Sequence, residues 1–249
     1  MSVTELTPWF EERGSGPTLL ALHPGNTDSR SLEPLLAELG GYRRILVDRP
    51  GHGRSRDVQG EWRFDDMADC IADVIAPSVT EPVHIFGWSD GAVVGLALTL
   101  RHPHLVRSLV FGGAAFHRDG WLTGVLDGEP PAFLADAYAE VSPDGGEHWP
   151  VVVRKAHELH QREPTYTVEH LHELRVPTLI LVGDDDEVRF DHLLAMFNAV
   201  PDAELAVVPR ATHGLIVEKP ELVARLIREF HAEEKSDGLA PIRRAEPGS

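Results

Sequence analysis

Residues 83–102 read VHIFGWSDGAVVGLALTLRH, and this stretch decides the fold. The first four residues are apolar or β-favouring and predict a strand. The run from Ala92 onward has helical character, so Gly87-Trp88-Ser89-Asp90-Gly91 is the turn between them. A serine at the tip of so sharp a strand–turn–helix connection must take an unfavourable backbone conformation. Strand and helix also pass so closely that the positions two before and two after it need minimal side chains, a demand that Gly87 and Gly91 meet. Ala92 and Gly95 let the helix pack tightly on the sheet. The turn sets Ser89 at the positive end of the helix dipole, where developing negative charge is favoured. A bare G-x-S-x-G occurs by chance in many loops; the strand before it and the helix after it make Ser89 a candidate nucleophile.

Outward from this turn, short apolar runs alternate with helical patterns. The strand-like runs are Thr18–Leu22, Arg44–Asp48, Val83–Gly87, Val106–Phe111, Thr178–Gly183 and Glu204–Val208. Leu32, Leu35, Leu36 and Leu39 follow helical spacing, as do Met67, Ile71, Val74 and Ile75, and again Leu222, Val223, Leu226, Ile227 and Phe230. Strands separated by helices pair in parallel through crossovers, which predicts an α/β fold: a mostly parallel central sheet flanked by helices on both faces. The rhythm breaks at 117–174, where helical patterns lie between prolines and no strand is expected. An insertion at the carboxyl edge of such a sheet stands over its ligand crevice. The expected organisation is a core of 1–116 and 175–232, a small helical lid of 117–174, and a flexible C-terminal tail of 233–249. A purely structural crossover is the other reading of the insertion.

A serine hydroxyl needs a base to take its proton and an acid to orient that base. For a nucleophile on this kind of turn, the chain order is serine, then Asp or Glu, then His. The run PTLILVGDDDEV at 177–188 is a buried strand ending in Asp184, Asp185 and Asp186, so its carboxylates lie at the catalytic edge of the sheet. Any of the three can serve on this reading. The next strand-like run leads to Arg210-Ala211-Thr212-His213-Gly214, and His213 is the histidine of that loop.

With these residues in place, the chain resembles the α/β-hydrolase family over nearly its whole length. The elbow GWSDG resembles that of biphenyl hydrolase-like, valacyclovirase-type esterases. DRPGHGRS at 48–55 is similar to the family's turn after its fourth strand, LHPGN at 22–26 to its His-Gly oxyanion loop, and GDDD at 183–186 to its Gly-Asp-x-Asp acid turn. The resemblance implies a Ser89–His213–Asp186 triad, with the last aspartate of the acid turn as its member. It also implies an oxyanion hole made by the backbone N–H groups of Asp90 and Gly25. Pro24 departs from the family, which usually has glycine there. Proline has no N–H, so a donor at 24 would leave one hydrogen bond unmade. His23 is expected to tie the oxyanion loop in place, and His52 to be a turn residue.

Asp90 is a second carboxylate beside the nucleophile. It either holds a cationic group such as the amine of an amino acid ester, as the resemblance implies, or caps the helix. Trp88, Trp121 and Trp149 are candidate substrate contacts beside Asp90, although packing is the commoner role of such rings. His157, His160, His170 and His172 lack a carboxylate constellation of metal-binding geometry and read as a solvated face, so neither metal nor cofactor is expected.

Composition bounds the rest. The chain has 249 residues and a net charge of −17, a balance that repels a phosphate backbone and argues against nucleic acid as a partner. A single cysteine, Cys70, excludes a disulfide framework and fits a reducing compartment. The apolar runs are too short to span a bilayer, and Met1–Phe10 shows no secretory pattern. The expectation is a cytoplasmic serine hydrolase cleaving an ester or related acyl bond of a small molecule, with a homodimer left open. The same triad also serves lactone or carbon–carbon hydrolysis, perhydrolysis, acyl transfer or cyclisation, and a non-catalytic receptor can keep the pocket.

Overall fold

The computed structural model of the protein describes residues 7–232; the tail expected to be flexible, 233–249, lies outside the described residues. Strands β1 (Phe10–Arg13), β2 (Thr18–Leu22), β3 (Arg43–Val47), β4 (Val83–Trp88), β5 (Val106–Gly112), β6 (Thr178–Asp185) and β7 (Ala203–Thr212) form one sheet. Helices α1 (Glu33–Glu38), α2 (Phe64–Ile75), α3 (Asp90–Arg101), α4 (Ala132–Val141), α5 (Trp149–Arg162), α6 (Val168–His172), α7 (Phe190–Ala199), α8 (Leu215–Glu218) and α9 (Pro220–His231) surround it. The spatial order is β1-β3-β2-β4-β5-β6-β7. β1 pairs antiparallel with β3 and every other pairing is parallel.

Side chains alternate across each strand, and the alternation builds two cores. Leu20, Leu22, Ile45, Val47, Leu109, Phe111, Ile180 and Val182 point to the face covered by α2, α3 and α7. Leu19, Ala21, Leu46, Val110, Leu179 and Leu181 point to the other, covered by α1, α8 and α9. The parallel strands are therefore buried on both sides, as near-continuous apolar runs demand. Each expected strand is present, with ends displaced by a few residues. β7 is the longest departure, running to Thr212.

After β2 the chain moves one way along the sheet to β3, then returns to lay β4 on the opposite side of β2. The carboxyl ends of β2 and β4 thus flank the point where strand order reverses, the place where such sheets bind ligands. Leu22 and Gly87 are register partners there, which brings the loops after them side by side. Between β5 and β6 stand α4, α5 and α6, tied to the core by polar contacts. The buried Lys155 Nζ donates to Asp57 Oδ1 at 2.8 Å, Arg30 Nη1 to Glu140 Oε2 at 2.8 Å, and Phe64 N to Glu163 Oε2 at 2.9 Å.

Candidate active site

The turn between β4 and α3 is built as its glycines foretell. Ser89 has φ +54°, ψ −125°, a conformation that non-glycine residues rarely adopt and that persists only when the surroundings impose it. The surroundings do so by contact. A Cβ on Gly91 would stand 2.1 Å from the Leu22 carbonyl oxygen, and one on Gly87 would stand 2.4 Å from the carbonyl of Gly91. Ser89 N donates to Gly112 O at 2.8 Å, which fixes the turn to β5.

β6 places the three aspartates differently. Asp184 accepts from Ala211 N at 3.2 Å, and Asp185 is exposed at the strand end. Asp186 is buried and accepts from the N–H of Glu187 at 2.7 Å and of Gly183 at 3.3 Å. Its Oδ1 lies 2.8 Å from His213 Nδ1. Position after the strand leaves three carboxylates open; the one the resemblance implies, Asp186, is the one the fold brings to the His213 ring. Burial works against a charged imidazole at His213, but the hydrogen bond and charge of Asp186, with a smaller contribution from Glu187, outweigh it and raise the pKa. Glu187, which the sequence reading passes over, has Oε2 4.0 Å from His213 Nε2.

The His213 loop is held from two sides. Trp88 Nε1 donates to the His213 carbonyl at 3.0 Å, and Thr212 N donates to Glu218 Oε2 at 3.0 Å. Trp88 is the residue before Ser89, so this bond brings the imidazole's backbone to the nucleophile turn. Among the described residues no hydrogen bond joins the Ser89 side chain to His213, whose ring bonds Asp186.

Two backbone N–H groups beside this turn are unbonded among the described residues. Asp90 is the first residue of α3, so its N–H has no helical carbonyl to bond. Gly25 N–H donates to no protein group among the described residues. Gly25 and Asp90 are in contact: a Cβ on Gly25 would stand 2.6 Å from Asp90 Oδ2. His23 is fully buried; its Nδ1 donates to Pro24 O at 2.8 Å and its Nε2 accepts from Arg49 N at 3.0 Å. Burial and the Arg49 charge hold its pKa down at about 3, so the ring is neutral, as that pairing of one donor and one acceptor requires. His52 is buried in the turn after β3 and bonds Pro50 O through Nδ1 at 3.0 Å.

Three expectations change. Trp88 is 1% exposed, with its ring packed on Gly112 and Gly113, because all of β4 through Trp88 is interior. Asp90 neither caps α3 nor offers a free carboxylate. It is buried, with Oδ1 2.8 Å from His160 Nε2 and Oδ2 3.7 Å from Arg49 Nη1. Burial alone would favour the neutral acid, but His160 and Arg49 hold the Asp90 pKa well below the usual carboxylate range. His160 accordingly is not on a solvated face; it reaches inward from α5, and Asp90 raises its pKa against the cost of burial. His170 instead accepts from Thr167 N at 3.1 Å at the start of α6. Trp121 packs on the His213 ring, centroids 6.1 Å apart, whereas Trp149 packs on Tyr138 at 5.4 Å. A cleft of about 300 Å³ lies between the oxyanion-side loop (Asn26, Thr27) and α4 (Phe133, Leu134). A second, of about 220 Å³, lies between Trp121 and His160. Among the described residues no group of His, Cys, Asp and Glu is arranged to hold a metal ion, and no helix is long and apolar enough to cross a membrane.

A strained serine lies between β4 and α3, a histidine after the last strand, and a buried aspartate after the strand before it. The family model described as "Alpha/beta hydrolase family" matches residues 19–226, and the chain belongs to that family. It is a hydrolase. It is 25% identical over 252 residues to the putative carbamate hydrolase RutD of Azorhizobium caulinodans, covering 90% of this chain and 95% of that protein. It is 33% identical over 105 residues to the uncharacterized hydrolase YraK of Bacillus subtilis, a match covering 41% of this chain and 38% of that one. Among solved structures, a meta-cleavage product hydrolase from Pseudomonas fluorescens IP01 has the same fold, with a TM-score of 0.72 at 20% identity, covering 90% of this chain and 94% of that one.

Proposed function

We propose that Ser89, His213 and Asp186 are a catalytic triad that hydrolyses an ester or related acyl bond of a small molecule. The observation that carries this reading is the 2.8 Å bond between Asp186 and His213 Nδ1, on a loop that Trp88 ties to the nucleophile turn. With Nδ1–H donated to Asp186, Nε2 carries the lone pair needed to take a proton. His213 takes the Ser89 proton as Oγ attacks the carbonyl carbon, and Asp186 stabilises the imidazolium that forms. The carbonyl oxygen becomes an oxyanion held by the N–H groups of Gly25 and Asp90, and the imidazolium then gives its proton to the leaving alcohol. Water, activated by the same imidazole, releases the acyl group from Ser89.

The helices α4–α6 are the lid over this centre, with Trp121 packed on the ring of the base and Trp149 a packing residue. Substrate enters along the clefts beside Asn26 and Trp121. The buried pairing of Asp90 argues against an amine-binding role and so against amino acid esters as a favoured class. Because relatives are named for carbamate and meta-cleavage product hydrolysis, the scissile bond is best found by a screen of esters, carbamates, lactones and diketones. The acidic chain is read as cytoplasmic.

The test is turnover of p-nitrophenyl acetate. The wild-type chain is expected to show multiple turnovers, and Ser89→Ala to lose activity by about 10⁶-fold at unchanged fold. Comparable rates for the two would overturn the assignment.

A further inference from the structure

The peptide unit between Pro24 and Gly25 is held in an unusual way. A trans peptide is planar, with its carbonyl and N–H on opposite edges, so fixing the direction of Pro24 C=O fixes that of Gly25 N–H. Pro24 O accepts from three donors: His23 Nδ1 at 2.8 Å, Thr27 Oγ1 at 3.0 Å and Arg49 Nη2 at 2.8 Å. Proline at 24 brings no N–H of its own and fixes φ, so the carbonyl is the handle by which this peptide is aimed.

Arg49 is the strongest of these donors and the most costly to place. Its side chain is 0% exposed, and it is balanced by Asp90 Oδ2 at 3.7 Å. A buried ion pair is a poor source of stability, because an apolar replacement of similar size often does as well. Asp90 is anchored in turn by His160 Nε2 at 2.8 Å, a ring carried by α5. The contacts form one continuous chain: α5, His160, Asp90, Arg49, Pro24 carbonyl, Gly25 N–H.

Resting on the triad reading above, we propose that Arg49 and His160 are positioning residues for the oxyanion hole. The guanidinium, held by Asp90, pins the Pro24 carbonyl so that Gly25 N–H faces the oxyanion. His160 makes that setting depend on the seated lid helix. Neither side chain hydrogen-bonds Ser89 or His213 among the described residues. The donor is aimed correctly only while α5 is docked, so the two contacts couple lid closure to transition-state stabilisation.

The experiment compares wild type with Arg49→Met, Arg49→Lys, His160→Leu and His160→Gln. It measures kcat and KM for p-nitrophenyl acetate, affinity for a trifluoromethyl ketone whose hemiketal oxyanion mimics the intermediate, and Tm. Complete loss of one oxyanion donor costs about 10²–10³-fold in kcat, so misaiming one is expected to cost about 10–100-fold in Arg49→Met and less in His160→Leu. KM stays within about twofold, the ketone weakens by the factor lost in kcat/KM, and Arg49→Lys and His160→Gln each recover part of the loss by restoring a donor. Unchanged kcat, a loss confined to KM, or a kcat loss without weaker ketone binding would overturn the proposal. If the Arg49 variants fail to fold, the His160 pair decides alone by the same criteria. Absence of turnover in the wild-type chain strikes the triad reading instead, so the two failures are distinguishable.

Discussion

Replacing Asp90 by Asn removes one charge from the middle of a buried trio while keeping size and backbone N–H. At 3.7 Å from Arg49 and an effective dielectric of about 20, the attraction removed is ~4.5 kcal/mol. His160 can relieve its side of the imbalance by shedding its proton, since burial already disfavours the charged ring. Arg49 has no such escape, because a guanidinium stays protonated. Stranding one buried charge typically costs about 3–5 kcal/mol, close to the Coulombic figure. For a chain of this size each kcal/mol moves Tm by about 2–4 °C, so Asp90→Asn should melt about 6–20 °C below wild type at pH 7. Thermal unfolding followed by circular dichroism measures it directly, with urea denaturation as a second estimate of the free-energy change. The ratio of kcat/KM for an amino acid ester over its N-acylated analogue should be the same in both proteins. A Tm within 2 °C of wild type, or an amine preference lost on substitution, would refute the assignment of Asp90 to an internal ion pair.

Other consequences are as specific. Asp186 raises the His213 pKa, so kcat/KM should fall as pH drops through a value above that of an ordinary histidine, the protonated ring being unable to accept the Ser89 proton. Asp186→Asn should lower the plateau by about 10⁴-fold and move that acid limb to lower pH, because burial is then opposed only by the smaller contributions of Glu187 and Asp90; a limb that stayed in place would disprove the coupling. Gly91→Ala puts a methyl group 2.1 Å from the Leu22 carbonyl and should cost about 1–3 kcal/mol or more together with most of the activity, whereas a wild-type Tm and rate would show that the close approach is absent. His160 titrates with the opposite sign to the rate. Its folded pKa is raised, so its bond to Asp90 contributes stability below the unfolded value and loses it as pH rises through the folded one. Unfolding free energy of wild type minus His160→Leu, measured across pH 5–9, should therefore shrink toward high pH; a difference that grew would contradict it.

What the sequence made legible follows from the range of the forces involved. Parallel strands buried on both faces are written as apolar runs, so six of the seven were visible. β1 was not: its residues Phe-Glu-Glu-Arg alternate exposed and half-buried on a sheet edge, where one partner strand suffices and no apolar run is needed. The nucleophile turn was readable because its close packing restricts Gly87 and Gly91 to residues without side chains. From position alone the acid was readable only as a cluster, since lying after a strand cannot say which of three neighbouring carboxylates turns inward; the resemblance to the acid turn singled out Asp186. His160 was misread because its partner Asp90 is 70 residues away, and a polar run on α5 looks solvated until the tertiary fold puts a carboxylate beneath it. Trp88 was misread for a related reason, as adjacency to Ser89 in sequence does not show that β4 is interior through its last residue.

In the proposed reaction one hydroxyl, on the strained turn at the head of α3, is the nucleophile. Treating the protein with a fluorophosphonate and mapping the adduct by peptide mass spectrometry tests it most directly. A single stoichiometric adduct on Ser89, abolished in Ser89→Ala and strongly slowed in His213→Ala, is the expected result. An adduct on another residue, or labelling that persists in Ser89→Ala, would contradict it.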